Sequence, residues 1–261
     1  MSALVSRMAV FFGLAYAFTW MGWLGNAIWP SEYWLLPMNP LGPLMAAPIA
    51  ILVMDGVEGL KAWGKRLITF RAPLWVYAAA LLGPVVVILS SVGLAALTGA
   101  RLQPLPVYGL LDFLLAIPIV LISGPGEEEL TFRGYAQHEM QKQISPLATA
   151  LIIGVGVAIW HAPLIIIGDM GWPMATCVVA VSVVYAWLYR MGGSVWPVVG
   201  LHFSVNYFGA EFFGSMVAEP SGQFIYRLFF LAFYLAWAGW IVWRFGPTLD
   251  GRRSRSHLAA A

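Results

Sequence analysis

The run LLDFLLAIPIVLISGPGEEELTFRG, residues 110–134, sets two opposed demands side by side. Residues 110–123 are apolar apart from Asp112 and Ser123, and three consecutive glutamates, Glu127, Glu128 and Glu129, follow almost at once. The whole chain has 12 acidic residues, so a quarter of them occupy three adjacent positions. Each carboxylate is costly to remove from water. Either the apolar run lies outside a membrane, or the carboxylates have a task inside one.

Composition removes the first alternative. Of 261 residues, 61% are hydrophobic and 10% charged, against about 25% charged in soluble domains. The mean hydropathy is +0.80. So few polar groups could not cover a soluble globule of this size. The chain reads as an all-α polytopic membrane protein, and its length suits about eight transmembrane helices of roughly 20 residues each. Hydropathy marks spans near 7–29, 34–54, 73–98, 108–124, 146–168, 172–190, 195–213 and 223–244, the fourth being short unless it runs on through the glutamates to about 142. The N-terminal run is too long for a signal peptide and lacks a small-residue cleavage site, so it is expected to be a retained first span. The stretch DGVEGLKAWGKRLITFR, residues 55–71, reads as an amphipathic helix on the membrane surface. A net charge of +2 points to no nucleic-acid partner. The single cysteine, Cys177, can form no intramolecular disulfide and reads as a small buried hydrophobe. Asp112 lies near a span end and can reach the interface.

Lysine and arginine placement orients the bundle. With both termini in the cytoplasm, the inside receives Arg7, the 55–72 stretch, Arg133 with Lys142, Arg190 and the basic tail, while the outside receives Glu32, Arg101, Asp169, Glu211 and Glu219. Residues 1–246 form one transmembrane domain without repeats, and 247–261 form a short basic tail expected to be disordered.

Ionisable groups inside spans are functional candidates. Here they are the glutamate triplet with Arg133, His161, and His202 with Asn206. Ser145-Pro146 marks a turn, with Glu128 17 residues before Ser145 and His161 16 after it. Two antiparallel helices then hold both side chains about 25 Å from that turn. Asn206 lies 13 residues past the Gly192-Gly193 turn, at about 20 Å depth, with His202 one turn shallower. Glu129 and Arg133 are i and i+4 and can pair, as are His202 and Asn206, which can share a cavity. Glu128 is turned about 100° from Glu129 and faces another helix.

Two chemistries fit. A carboxylate and a histidine can deprotonate a shared water and aim it at a carbonyl, with a histidine and an asparagine amide donating to the oxyanion. Alternatively Glu128, His161 and His202 make a two-histidine, one-carboxylate set for zinc with an open water position. No HExxH or GxSxG pattern occurs.

EELTFRG at 128–134 resembles the EExxxR motif of the CAAX protease and bacteriocin-processing family of intramembrane proteases, also called the Abi family, which includes the type II CAAX prenyl endopeptidases. His161 after Trp160 resembles its second motif, and HFSVN at 202–206 its HxxxN motif. The resemblance covers about residues 105–215. It implies a helical bundle around a cytoplasm-facing cavity in the cell membrane of a prokaryote. It also implies Glu128 and His161 as water activators, His202 and Asn206 as oxyanion stabilisers, and Glu129 and Arg133 in support. The implied mechanism is glutamate-dependent and free of metal, and the implied partner is a membrane-associated peptide or protein substrate. Glu127 receives no role from it. The competing readings are a catalytically silent scaffold or immunity protein, which has no reason to keep all four catalytic-type residues, and a proton-coupled transporter, for which no internal repeat is found.

Overall fold

In hydrocarbon every backbone N–H and C=O must find its partner within the chain, so long apolar runs become helices. The computed structural model describes residues 3–29, 41–105, 109–218 and 220–250. Among these, regular structure is helical apart from one isolated antiparallel bridge, Leu102 to Val217. The helices are α1 (Ala3–Ile28), α2 (Leu41–Leu67), α3 (Leu74–Leu97), α4 (Leu110–Leu121), α5 (Glu127–Thr131), α6 (His138–Met140), α7 (Pro146–Trp160), α8 (Ala162–Ile166), α9 (Trp172–Gly192), α10 (Trp196–Ser204) and α11 (Pro220–Phe245). Wider π-type turns occupy Ile122–Gly126, Phe132–Gln137 and Val205–Phe213. Glu32, Glu219, His257, residues 34–40 of the expected second span and residues 251–261 of the tail lie outside the described residues.

Six described segments are long and apolar enough to cross a membrane: Ala3–Gly25, Leu41–Leu67, Leu74–Leu97, Leu110–Met140, Trp172–Gly192 and Pro220–Thr248. The fourth does run on through the glutamates. The other two expected spans are broken helices. The run 146–168 stops at Trp160, where His161 leaves helical geometry at ψ 1°. Pro163 lacks the N–H that would bond back to Ile159, and a new helix, α8, starts at Ala162 with that proline in its first turn. In 195–213, α10 is nine residues long and widens into the π-type turn at Val205.

The amphipathic stretch forms its own helical segment, set off from the apolar part of α2 by a break in the backbone. It continues α2 past a kink at Gly56 (φ 63°, ψ −161°), a conformation that suits glycine, and ends at Leu67. Asp55, just before the kink, pairs with Arg7 of α1. Glu58 and Lys61 are exposed, whereas Trp63 is buried and its Nε1–H donates to the Leu130 carbonyl at 3.2 Å. That bond docks the end of α2 on the glutamate helix.

Packing divides the buried apolar residues into two clusters. One joins α3, α9, α10 and α11, centred on Ile88, Val184, Leu188, Leu201 and Tyr234. The other joins α1, α2 and α7 with the segment after the glutamates, through Phe11, Ile51, Phe132, Tyr135 and Ile153. Helix α7 meets α9 closely because Gly154 has no side chain: a β-carbon there would lie 2.9 Å from Ser182 Cβ and 3.0 Å from the Val179 Cα.

The two ends of the bundle are tied separately. At one, Gln103 donates to the Ser215 and Met216 carbonyls at 2.6 and 2.7 Å, close to the Leu102–Val217 bridge. At the other, Ser194 Oγ donates to the Thr69 carbonyl at 2.6 Å and Arg190 pairs with Asp250. The 167–171 loop belongs to the first end, and the 141–145 turn to the second.

Candidate active site

The glutamates are placed by a break in their helix. Ser123 (φ −80°, ψ 48°) and Gly124 (φ 143°, ψ −73°) leave helical geometry, and Pro125 follows, so α5 starts afresh at Glu127. Three carboxylates then occupy a first helical turn, the end of the macrodipole that favours negative charge. The break at Ser123-Gly124 lies two residues before the Pro125-Gly126 pair.

All three glutamates are buried, but they do different things. Glu129 Oε2 accepts from Arg133 Nε at 3.0 Å, and its Oε1 accepts from His202 Nδ1 at 2.9 Å. One carboxylate thus bridges a cation on its own helix to a histidine on α10. Arg133, 2% exposed, also lies over the Tyr185 ring at 5.0 Å, and the same ring stacks on His202 at 6.0 Å. Glu128 accepts no side-chain hydrogen bond among the described residues and lines a cavity of about 160 Å³. Glu127 is buried and lines neither this cavity nor the larger one beside it.

The same cavity is lined by His161, His202 and Asn206. The four side chains that depth arithmetic places at one level thus line one cavity, at the seam between the two apolar clusters. His161 Nδ1 donates to the Val157 carbonyl at 2.8 Å. A carbonyl only accepts, so this bond fixes the tautomer and leaves the Nε2 lone pair free. The ring is held against Trp160 and Trp23, at 4.6 and 6.1 Å. Trp160 itself is core, 1% exposed and packed on Phe132. His138, away from this cavity, is half-buried, and its Nδ1 lies 3.1 Å from the Tyr189 hydroxyl. Asn206 sits in the π-type turn after α10, a feature frequent at functional sites.

Sequence reasoning passes over Gly124. A β-carbon on it would stand 3.5 Å from Glu128 Oε1 and 3.6 Å from Asn206 Nδ2. The glycine therefore lies against both groups, and its φ of 143° is closed to other residues. The available signal is a glycine before proline. Tyr185, which spaces Arg133 and His202, gives no comparable signal in an apolar run.

A second cavity of about 820 Å³ shares His161, Met174, Val205 and Asn206 with the first and extends to Asp169, Ser215 and Arg227. The site therefore opens toward the end of the bundle that carries the 167–171 and 214–218 loops.

Residues 109–208 match the family model described as type II CAAX prenyl endopeptidase Rce1-like. The match covers less than half of the chain, and over that segment the chain resembles the family. All four cavity residues, the Glu129–Arg133 pair and Gly124 fall inside it, as does Tyr185. A search of curated proteins finds no match to the chain. The matched segment is where the structure concentrates its buried charge, Glu127, Glu128, Glu129 and Arg133.

A zinc site fits this donor set poorly. The ligand atoms that approach one another within 4.8 Å belong to Glu128, Glu129 and His202, and His161 is not among them. Both Glu129 oxygens already accept hydrogen bonds, one of them from a guanidinium, and His202 Nδ1 is committed to Glu129. A dication would have to compete with a buried arginine for the same carboxylate.

Proposed function

We propose that the protein is an intramembrane endopeptidase, hydrolysing a peptide bond of a membrane-associated peptide or protein. The observation that carries this reading is that Glu128, which accepts no side-chain hydrogen bond among the described residues, shares one cavity with Nε2 of His161 and with His202 and Asn206. The Rce1-like match, whose description names an endopeptidase, supports it.

In the proposed cycle a water bridges Glu128 and His161 Nε2. Glu128 takes its proton, and the oxygen attacks the peptide carbonyl carbon. The resulting oxyanion accepts hydrogen bonds from Asn206 Nδ2–H and from Nε2–H of His202, the imidazolium being charge-balanced by Glu129. One such donor is worth about 3–4 kcal/mol in a site of this kind. Glu128 then delivers the proton to the leaving nitrogen as the C–N bond breaks, which returns the carboxylate. No step requires a metal, so turnover of the purified protein is expected to survive exhaustive chelation without loss. Stoichiometric zinc whose removal stops turnover would overturn the metal-free mechanism.

The test of function is peptidomics of membranes from cells carrying wild-type protein or Glu128→Ala. Peptides that depend on the wild-type chain are expected, and their complete absence would favour a silent scaffold.

We further propose that the termini are cytoplasmic. Lys61, Lys65, Arg66, Lys142, Arg190 and Arg244 gather at the end away from the cavity mouth, against Arg101 and Arg227 toward the mouth. Cytoplasmic termini then turn the mouth away from the cytoplasm, so this orientation and a cytoplasm-facing cavity exclude each other. With Cys177 replaced by alanine, Ser215→Cys should react with an impermeant maleimide in intact cells and Lys142→Cys only after lysis. The reverse pattern would invert the protein in the membrane.

A further inference from the structure

Arg227 lies outside the matched segment, on α11, seven residues from its start at Pro220 and so about 10 Å along the helix. It is half-buried and lines the larger cavity that joins the hydrolytic one, as well as a neighbouring cavity beside Trp172. Among the described side chains, which do not include those of Glu211 and Glu219, no carboxylate lies within ion-pair distance of its guanidinium. Asp169, the acidic residue on the same cavity wall, forms no such pair with it. Gln223, one turn earlier, is already spent: its Nε2 donates to the Gly214 and Val217 carbonyls at 2.9 and 2.6 Å. A guanidinium so placed is partly stripped of water with no counter-charge among the described side chains, a costly arrangement inside a span. Its planar fork of N–H donors matches a carboxylate in a bidentate pair.

We propose that Arg227 anchors a carboxylate of the peptide whose scissile bond lies beside Glu128, either the peptide's C-terminal carboxylate or an acidic side chain near it. The proposal deepens the endopeptidase reading and rests on it. The two cavities share His161, Met170, Met174, Val205, Asn206 and Phe230, so one bound chain can touch both the hydrolytic groups and the guanidinium. An anchored carboxylate would fix how far from the charge the chain is cut. Arg227 would thus be a specificity-determining residue, without part in the chemistry.

The test uses three fluorescently labelled peptides of one apolar sequence: a free C-terminus, a C-terminal amide, and an amide with one glutamate near the end. Binding and hydrolysis are measured in detergent on wild-type protein, Arg227→Gln and Arg227→Lys. Amidation is expected to weaken wild-type binding and kcat/KM by about 10–100-fold, the range for a hydrogen bond to a charged group. Arg227→Gln should lose a similar factor on carboxylate-bearing peptides and nothing on the amide, and Arg227→Lys should recover part of the loss. The glutamate peptide separates the sources, since rescue by it admits a side-chain carboxylate and failure assigns the site to the C-terminus. An equal loss on all three peptides would make Arg227 a helix anchor, and absence of any wild-type preference would remove the subsite. Competition by anionic lipid without a peptide preference would assign the guanidinium to a headgroup and equally overturn the proposal. Binding that prefers the carboxylate without turnover would instead count against the endopeptidase reading, so the two failures stay distinct.

Discussion

Glu128→Gln is expected to lower kcat by about 10³–10⁴-fold, or roughly 4–5.5 kcal/mol of transition-state stabilisation. The amide keeps the volume of the carboxylate and its place against Gly124, but it cannot take a proton from water. Stability should hardly change. Glu128 accepts no side-chain hydrogen bond among the described residues, so the fold gains little from its charge and loses little with it. Thermal melting in detergent should therefore shift by no more than a few degrees while turnover disappears. KM should stay close to wild type, because the lost interaction is with the attacking water rather than with bound peptide. Unchanged turnover by Glu128→Gln would sink the mechanism. Glu127→Gln supplies the control, since that side chain is also buried and acidic but lines neither the hydrolytic cavity nor the one joined to it.

What is legible in the chain and what is hidden follow from the range of each interaction. The i,i+4 pair of Glu129 and Arg133 is local, and helix geometry alone predicts it. Depth is nearly local too, because rise per residue is fixed and the turns at Ser145 and Gly193 are marked by their residues. That is why counting residues from those turns suffices to place Glu128, His161, His202 and Asn206 on one level. The bond from His202 to Glu129 depends on how α10 is rotated about its own axis, a property of packing across the seam that no run of residues records. Two of the eight expected spans are not continuous helices, for a different reason. Hydropathy measures apolar length, and it is blind to the backbone break at His161 and to the widening at Val205. Both interruptions fall in the spans that carry catalytic-type groups, where non-helical backbone is tolerated because it lines a cavity. Arg227 is visible in the sequence as a cation in the last apolar run, but its significance depends on the mouth of a cavity whose position is a tertiary fact.

Glu129→Gln is expected to cost more stability than Glu128→Gln, although both remove one buried carboxylate. Glu129 is the counter-charge of Arg133, whose Nη1 is already buried without a hydrogen-bond partner. Breaking one side of a buried pair typically costs about 3–5 kcal/mol, because the remaining charge is left uncompensated. The melting temperature of Glu129→Gln should therefore fall well below that of Glu128→Gln, and activity should fall with it as His202 loses its partner. The double variant Glu129→Leu/Arg133→Leu separates these effects. Replacing both charges with apolar groups should restore much of the stability, since hydrophobic replacements of buried pairs are often neutral or better. It should not restore turnover, because His202 Nδ1 would then have no acceptor to hold the ring's orientation and charge. A double variant that regained both stability and turnover would reduce Glu129 to a counter-ion for Arg133. A single variant as stable as wild type would deny that the bridge holds the two halves of the bundle together at the site.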